Sequence, residues 1–229
     1  MNNIYRNPVC RGADPFVLLY DGLYYLYSTN SPDGFRVFTS EDMSTWEDRG
    51  YCLRAEDVMG DRWFWAPEVM ERDGKFYMVY VAEEHLGIAV ATSPLGPFAQ
   101  SEKKWLNDCN EIDGHFFFFF DGTVYLYFFR FDHGNVLWCA KMNEDMLSYD
   151  RSTATFLFRA EEEWETRDCS VVEGAFVLKH KGKYYLTYSA NHTRCADYAV
   201  GCAVADRPMG PFTKVSYNQI LKKSDAING

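Results

Sequence analysis

The sequence lacks any run of roughly 18 uninterrupted apolar residues, and no apolar segment follows a basic start at its amino terminus. The first lack argues against a membrane-spanning helix and the second against a secretory leader. The seven cysteines are scattered, odd in number and form no C-x-x-C pair. That pattern is typical of reduced thiols and indicates neither a disulfide framework nor a zinc site. We therefore expect a cytoplasmic protein that makes no membrane contact.

Basic residues are also scarce, since 23 Lys and Arg stand against 33 Asp and Glu for a net charge of −10. This balance argues against nucleic acid or an anionic membrane as a partner and favours a neutral or cationic small molecule. No phosphate-binding loop, G-x-S-x-G elbow or H-E-x-x-H helix is present, so nucleotide-loop, serine-hydrolase and zinc-protease functions have no support. The five histidines are isolated, and we expect most of them to lie on the surface or in the core with no ligand role.

Aromatic residues are abundant, at 17% of a chain of 229 residues that is 47% apolar. Such a chain can bury a sizeable core as one domain, and aromatic side chains favour strands. The composition therefore predicts an all-β fold.

Four segments share one plan, in which a short apolar run, a turn of two residues ending in Gly and an aromatic-rich run follow one another. They span residues 13–29, 66–82, 112–128 and 172–189. Asp-Gly at 21–22, 73–74 and 121–122 predicts hairpin turns, and Lys181-Gly182 is a weaker version of the same signal. A further strand-like run follows each hairpin. Two of these runs close with similar turns, "SPLGPF" and "RPMGPF".

A period near 50 residues, with three or four strands per unit and no convincing helix, predicts a β-propeller. A four-repeat solenoid and a double sandwich are the alternatives. We expect one domain over residues 1–229, with blades at roughly 11–50, 64–100, 111–158 and 171–214. The first strand of each blade should be enclosed on both faces. In the third blade Phe116, Phe118 and Phe120 would face one neighbour, and Phe117 and Phe119 the other.

Carboxylates recur near the start of these first strands. Counting back from the turn glycine gives Asp14, Asp113 and Glu173 at one repeat position, and Trp65 or Ala66 in the second blade. In a propeller these positions converge near the axis, where crowded like charges should raise at least one pKa. Two such acids can serve as general acid and general base on a glycosidic bond, with the third holding the acid. Solvated strand caps and a calcium site are the alternatives, although no D-x-D-x-D loop supports calcium.

The motifs "RGADPF", "FWAPEV", "EIDGHFFFFFDG" and "VVEGAFVLKHKGKYYLTYSAN" resemble glycoside hydrolase family 43 over residues 11 to about 214. The resemblance implies a five-bladed β-propeller and an inverting β-xylosidase or α-L-arabinofuranosidase that acts on small xylose- or arabinose-containing oligosaccharides and needs no cofactor for the chemistry. It implies Asp14 as general base and Glu173 as general acid. Asp113 would orient Glu173 and tune its pKa. An inverting pair requires carboxyl groups about 6.5–9.5 Å apart.

Four further residues are predicted to contact substrate. Trp65 matches a family motif near the pocket and could stack on a sugar ring, or lie between blades as a core residue. Loops after the second strands carry Asn30, Arg130 and Asn191, which we expect to bind sugar hydroxyls. Arg130 has an alternative role as the cationic partner of Asp113.

The sequence departs from the family at its end, because four blades are visible where the family has five. The chain ends at "SDAING", near where family members continue into a Gly-His segment and the final blade. The histidine of that segment commonly helps to bind an ion, so the resemblance allows a structural calcium near the axis. Residues 1–10 could supply the closing strand of the fifth blade. A non-catalytic propeller that binds sugars or a protein, and a propeller glycoside phosphorylase, remain as alternative functions.

Overall fold

The computed structural model describes residues 11–223, and the predicted closing strand at residues 1–10 lies outside that range. The described residues form fifteen β-strands and two short 3₁₀ turns, with no α-helix among them. No helix in this part of the chain is long and apolar enough to cross a membrane. The all-β prediction is confirmed. The strands are β1 Ala13–Tyr20, β2 Leu23–Thr29, β3 Gly34–Ser40, β4 Glu47–Arg54, β5 Trp65–Arg72, β6 Lys75–Ala82, β7 His85–Ala91, β8 Glu111–Phe118, β9 Val124–Phe131, β10 Asn135–Met142, β11 Tyr149–Arg159, β12 Val172–His180, β13 Lys183–Ala190, β14 Ala199–Ala205 and β15 Thr213–Lys214.

The strands form four sheets in which sequence neighbours pair antiparallel, as in the blades of a propeller. Blade 1 has the order β1-β2-β3-β4, blade 2 β5-β6-β7, blade 3 β8-β9-β10-β11 and blade 4 β12-β13-β14-β15. The predicted β-propeller class is confirmed, with four blades whose bounds follow the repeat of the sequence.

Contacts along the backbone group the chain into two compact units, one up to Asp108 and the other from Cys109 onward. Blades 1 and 2 form the first unit, and blades 3 and 4 form the second. Within the first unit β1 packs against β5, and within the second β8 packs against β12. The prediction of one domain for the whole chain stays a prediction.

Three of the four first hairpins have the predicted turn of two residues. Both turn residues have positive φ at Asp21-Gly22, Asp73-Gly74 and Lys181-Gly182, as a type I′ turn requires. The prediction for Asp121-Gly122 is wrong, because Phe118 pairs with Val124 and five residues lie between the strands. The Asp121 carboxylate accepts the Thr123 N–H at 2.9 Å, which draws Asp121 into the loop.

The expectation that the five phenylalanines lie in a strand enclosed on both faces is wrong for two of them. Phe116 is buried, whereas Phe118 is 55% exposed and Phe120 is 79% exposed. The physical reason is that β8 ends at Phe118, so Phe120 belongs to the loop. The enclosure also fails for β1 and β12, where Leu19 and Phe176 are exposed on the faces that the described residues leave uncovered.

The core lies mainly around the second strands. Tyr27, Tyr80, Tyr127 and Tyr188 are fully buried there, and burial raises the pKa of each hydroxyl. Every one of these hydroxyls donates a hydrogen bond, to Pro94 O, Met59 O, Pro208 O and a Glu165 carboxylate oxygen respectively. The phenols therefore fill the apolar core without leaving a buried donor unsatisfied.

Candidate active site

A β-bulge interrupts the first strand of every blade near its amino end. The pairing shifts between Ala13 and Phe16 in β1, and equivalent shifts occur in β5, β8 and β12. The first bulged residue has positive φ in each case: Asp14 50°, Ala66 44°, Asp113 53° and Gly174 62°. Such a bulge bends the strand and redirects side chains, and left-handed backbone at a residue other than glycine is typical of functional sites.

The bulge corrects the predicted alignment of the three acids. Asp14 and Asp113 occupy the left-handed position itself, whereas Glu173 comes one residue before it and corresponds to Trp65 in blade 2. The left-handed residue lies eight positions before the turn glycine in blades 1, 2 and 4, but nine before it in blade 3. Counting from the turn failed because the third hairpin is longer.

In the first unit a hydroxyl links Asp14 to the neighbouring blade. Thr29 Oγ1 donates its hydrogen to Asp14 Oδ2 at 2.6 Å, and Thr29 Oγ1 also accepts the N–H of Ala66 at 2.9 Å. The backbone of the blade 2 bulge thus holds Thr29, and Thr29 holds the Asp14 carboxylate, which remains exposed. An exposed carboxylate with one side held is able to accept a proton from water.

A cleft with a volume of about 630 Å³ opens beside this arrangement and includes Thr29 in its wall. Trp63 and Trp65 are stacked, with ring centroids 6.1 Å apart and planes 15° from parallel. Trp65 is therefore placed in a cleft wall, as one of its two predicted roles requires. The lining residues are Arg11, Gly12, Thr29, Asn30, Ser31, Pro32, Arg62, Trp63, Phe64 and Trp65.

Asn30 lines the same cleft, but its amide has structural partners. Its Nδ2 donates to Arg36 O at 3.0 Å, and its Oδ1 accepts the Arg36 N–H at 3.0 Å. These two bonds close the connection between β2 and β3. A contact between Asn30 and a sugar hydroxyl stays a prediction.

In the second unit the structure brings Asp113 and the Glu173 segment together. Asp113 Oδ2 accepts the N–H of Gly174 at 3.1 Å, and Tyr198 donates its hydroxyl to Glu173 Oε1 at 2.8 Å. Burial and the negative charge of Glu173 raise the pKa of Tyr198, which keeps this phenol neutral and a donor. Asp113 thus fixes the backbone beside Glu173, and the half-buried phenol of Tyr198 holds the Glu173 carboxyl group.

Arg130 forms an ion pair with Glu111, whereas its alternative predicted role was that of cationic partner to Asp113. Its Nε donates to Glu111 Oε1 at 2.8 Å, and its Nη2 lies 3.1 Å from the Tyr149 hydroxyl. Glu111 is fully buried, and the guanidinium lies over Trp138, 4.5 Å from the ring centroid. Burial, followed by the charge of Glu111, raises the pKa of Tyr149 to about 12. The carboxylate that Arg130 compensates here is Glu111, and contact with a sugar hydroxyl stays a prediction.

Asn191 is fully buried. Its Nδ2 donates to Trp164 O and Asp197 O, and its Oδ1 accepts the Asp168 N–H. These bonds use both amide hydrogens and fasten the loop before β14. The structure therefore gives Asn191 a supporting role in the loop, and its contact with a sugar hydroxyl stays a prediction.

Among residues 11–223, no group of three or more His, Cys, Asp or Glu side chains is arranged so that it could hold a metal ion. A structural calcium stays a prediction, and none of the chemistry below uses one. The described cysteines are free thiols: Cys52, Cys109, Cys139, Cys169, Cys195 and Cys202. His115 is buried, and its Nε2 accepts the Val177 N–H at 2.9 Å, in keeping with a core role.

Sequence reasoning missed Thr29 and Tyr198. In a regular hairpin with a turn at Asp21-Gly22, the residue opposite Asp14 is Thr29. The sequence therefore contained a signal that could have predicted the contact between Thr29 and Asp14. Tyr198 gave none, because it stands after a loop whose path is not encoded by any strand register.

A model of the family described as glycosyl hydrolases family 43 matches residues 5–229. The chain belongs to this family. Its members hydrolyse glycosidic bonds, so this family 43 protein is a glycosidase, and the resemblance read from the motifs is confirmed.

The relatives differ in the bonds that they cut. A crystal structure of an endo-1,4-β-xylanase from Bacteroides thetaiotaomicron is 43% identical with a TM-score of 0.91, over 94% of this chain and 76% of that one. A β-xylosidase from Xylanibacter ruminicola is 26% identical over 88% of this chain and 77% of its own length. A β-D-galactofuranosidase from Aspergillus niger is 29% identical over 96% and 69% respectively. This family 43 chain therefore spans 69–77% of the length of these three relatives.

Proposed function

We propose that this protein is an inverting glycosidase that acts on xylose- or arabinose-containing oligosaccharides. Asp14 is the general base, Glu173 is the general acid, and Asp113 positions Glu173. The names of the β-xylosidase and endo-xylanase relatives support the xylose side of this proposal. The free thiols support a site of action in the cytoplasm, where short oligosaccharides would be the substrates.

The hydrogen bond from the Gly174 N–H to Asp113 Oδ2 carries the assignment of roles in the second unit. Gly174 is the left-handed residue of its bulge and directly follows Glu173, so fixing its N–H fixes the direction of the Glu173 side chain. Tyr198 fixes one oxygen of the Glu173 carboxyl group itself. Glu173 is thus the more tightly oriented acid, as proton delivery to a single leaving oxygen requires.

Asp14 suits the other role. It is exposed, held at one oxygen by Thr29, and adjacent through Thr29 to an aromatic cleft of ligand size. In the inverting reaction this carboxylate takes a proton from water as the water attacks the anomeric carbon, while Glu173 gives its proton to the departing oxygen.

Leaving-group dependence tests the two roles separately. Glu173→Gln should lower kcat about 10²- to 10⁴-fold on xylobiose, but much less on 2,4-dinitrophenyl β-xyloside, whose leaving group needs no proton. Asp14→Asn should lower both rates. Asp21→Asn is the matched control, because Asp21 is an exposed left-handed acid at the other end of β1 and should leave both rates unchanged.

The stereochemistry of the product completes the test. Proton NMR of the first turnover should show the α-anomer from a β-xyloside. Retention of configuration, or full activity of Asp14→Asn or Glu173→Gln on xylobiose, would overturn the assignment.

A further inference from the structure

The cleft of the first unit has features that hydrolysis of a neutral pentoside does not need. Two arginines, Arg11 and Arg62, are among its lining residues, and no aspartate or glutamate is. The whole chain carries ten more acids than bases, whereas the lining residues carry two positive charges and no negative one. Two carboxylates outside the lining, Asp14 and Asp61, each contact one lining residue, Thr29 and Arg62 respectively. Concentrated charge of one sign in a cleft selects ligands of the opposite sign.

The aromatic part of the cleft fits a sugar. Trp63 is 50% exposed and lies parallel to Trp65, so it extends the aromatic wall outward. Its φ of 56° is unusual for so bulky a residue, and left-handed backbone of this kind clusters at ligand-binding positions. The exposed indole offers a flat apolar surface to the hydrogen-bearing face of a sugar ring.

Arg62 stands directly beside this surface. Its guanidinium lies over the Trp63 ring, 5.0 Å from the centroid. Its ion pair with Asp61 is long, at 3.9 Å, and both side chains are more than half exposed, so the pair is weak. The guanidinium can therefore turn to a ligand carboxylate at little cost, and its planar donors match a carboxylate in two places.

We propose that this cleft binds a pentose oligosaccharide that carries a uronic acid, with the sugar ring on Trp63 and the uronate carboxylate between Arg11 and Arg62. The inference rests on the proposed function for the identity of the backbone sugar. It departs from the neutral or cationic ligand that the net charge favours, because the local charge of the cleft differs from that of the chain.

Paired substrates test the proposal. We compare kcat/KM for xylotriose and for xylotriose bearing one glucuronic acid, in the wild type and in Arg11→Gln and Arg62→Gln. The wild type should prefer the acidic substrate, and each variant should lose about 5- to 10-fold more on it than on neutral xylotriose. The preference should also weaken as salt is raised. Arg49→Gln, an exposed arginine of blade 1 paired with Glu47, is the matched control and should keep the wild-type preference.

Binding separates this inference from the proposed function. Quenching of tryptophan fluorescence by the acidic trisaccharide is measured in wild type and in Glu173→Gln, where turnover is not needed. Tighter binding of the acidic than of the neutral ligand, reduced by Arg62→Gln and equal in Glu173→Gln, supports the cleft even if no substrate is cut. Equal affinity for both ligands, or a preference that both arginine variants retain, overturns it even if neutral xylotriose is hydrolysed.

Discussion

The two units of this family 43 protein are built on the same plan from different residues. In the first, the Tyr27 hydroxyl donates to Pro94 O, and in the second Tyr127 donates to Pro208 O, in the two similar "GPF" turns. Gly87 leaves room for the Tyr80 ring, and Gly201 leaves room for Tyr188, since a Cβ at either glycine would lie under 3.0 Å from the phenol. Each unit is therefore a pair of blades with matching core contacts.

The units differ at the bulge, where the chemistry lies. In blades 3 and 4 the N–H of the second bulge reaches the acid of the first bulge directly, from Gly174 to Asp113. In blades 1 and 2 the equivalent N–H, from Ala66, reaches Asp14 only through the Thr29 hydroxyl. The counterpart of Thr29 in blade 3 is Phe129, which has no hydroxyl.

The residue before the second bulge differs as well, since it is Trp65 in one unit and Glu173 in the other. One unit thus combines an acid with an aromatic wall, and the other combines two acids. A repeated backbone position is thus given separate tasks by a change of one or two side chains around it.

Removing the hydrogen bond between the Gly174 N–H and Asp113 in the second unit should have the largest effect. Asp113→Ala loses both the charge and the acceptor for Gly174, and we expect kcat on xylobiose to fall about 10²- to 10³-fold. Asp113→Asn keeps an acceptor for Gly174 and should recover part of the loss. Steady-state kinetics of the two variants measure how much of the effect is orientation. A wild-type rate in Asp113→Ala would contradict the positioning role.

Tyr198→Phe removes the hydroxyl that holds the Glu173 carboxyl group in the second unit. A donor stabilises the ionised carboxylate of Glu173, so without it the carboxyl group keeps its proton to higher pH. Because a general acid must be protonated, the alkaline limb of the kcat/KM profile should move to higher pH, with kcat lowered about 10-fold. The profile is measured from pH 4 to 9 on xylobiose. A purely structural role for Tyr198 would lower the rate without moving that limb.

Thr29→Val breaks the relay of the first unit, by which we mean the two hydrogen bonds that join the Ala66 N–H, the Thr29 hydroxyl and the Asp14 carboxylate. It leaves the Ala66 N–H and the Asp14 carboxylate without this hydroxyl, so we expect a loss of about 1–2 kcal/mol in the free energy of unfolding and a rate about 5-fold lower. Thr29→Ser keeps the hydroxyl and should stay near the wild type. Urea denaturation and kinetics are measured together. If Val and Ser behave alike, the relay has no function.

Exchanging the bulge residues should have the smallest effect. Gly174→Ala places a Cβ at φ 62° and should cost about 1 kcal/mol of unfolding free energy, whereas Ala66→Gly relieves the same strain and should gain about that amount. The space at Gly174 is open, since the nearest atom to a new Cβ is Ser189 Oγ at 3.8 Å. Thermal denaturation of both variants checks the signs, and the same sign in both would mean that the bulges are not equivalent.

The sequence predicts the blades well because their signals are local. Asp-Gly turns and aromatic runs act within a hairpin, and three of the four turns form as expected. Alternation of apolar residues does not show where a strand ends, so Phe118 and Phe120 were misplaced.

The candidate site was predicted only in part, for a different reason. The acids could be found by their place before apolar strands, but the bulge has no residue signature, since Asp, Ala, Asp and Gly occupy it in turn. The partners of Arg130 lie 19 positions away, and two of the partners of Asn191, Asp168 and Trp164, lie 23 and 27 positions away, brought close by strand pairing and loop paths. Their roles therefore depend on tertiary structure.

The tyrosine–proline bonds described above also bear on the order in which the protein folds. They join residues 67 and 81 positions apart, so neither blade pair is complete until most of its unit has been synthesised. All partners of the first bond precede Asp108, the end of the first unit. On the ribosome, the first pair of blades can therefore close its core before the second pair has been made.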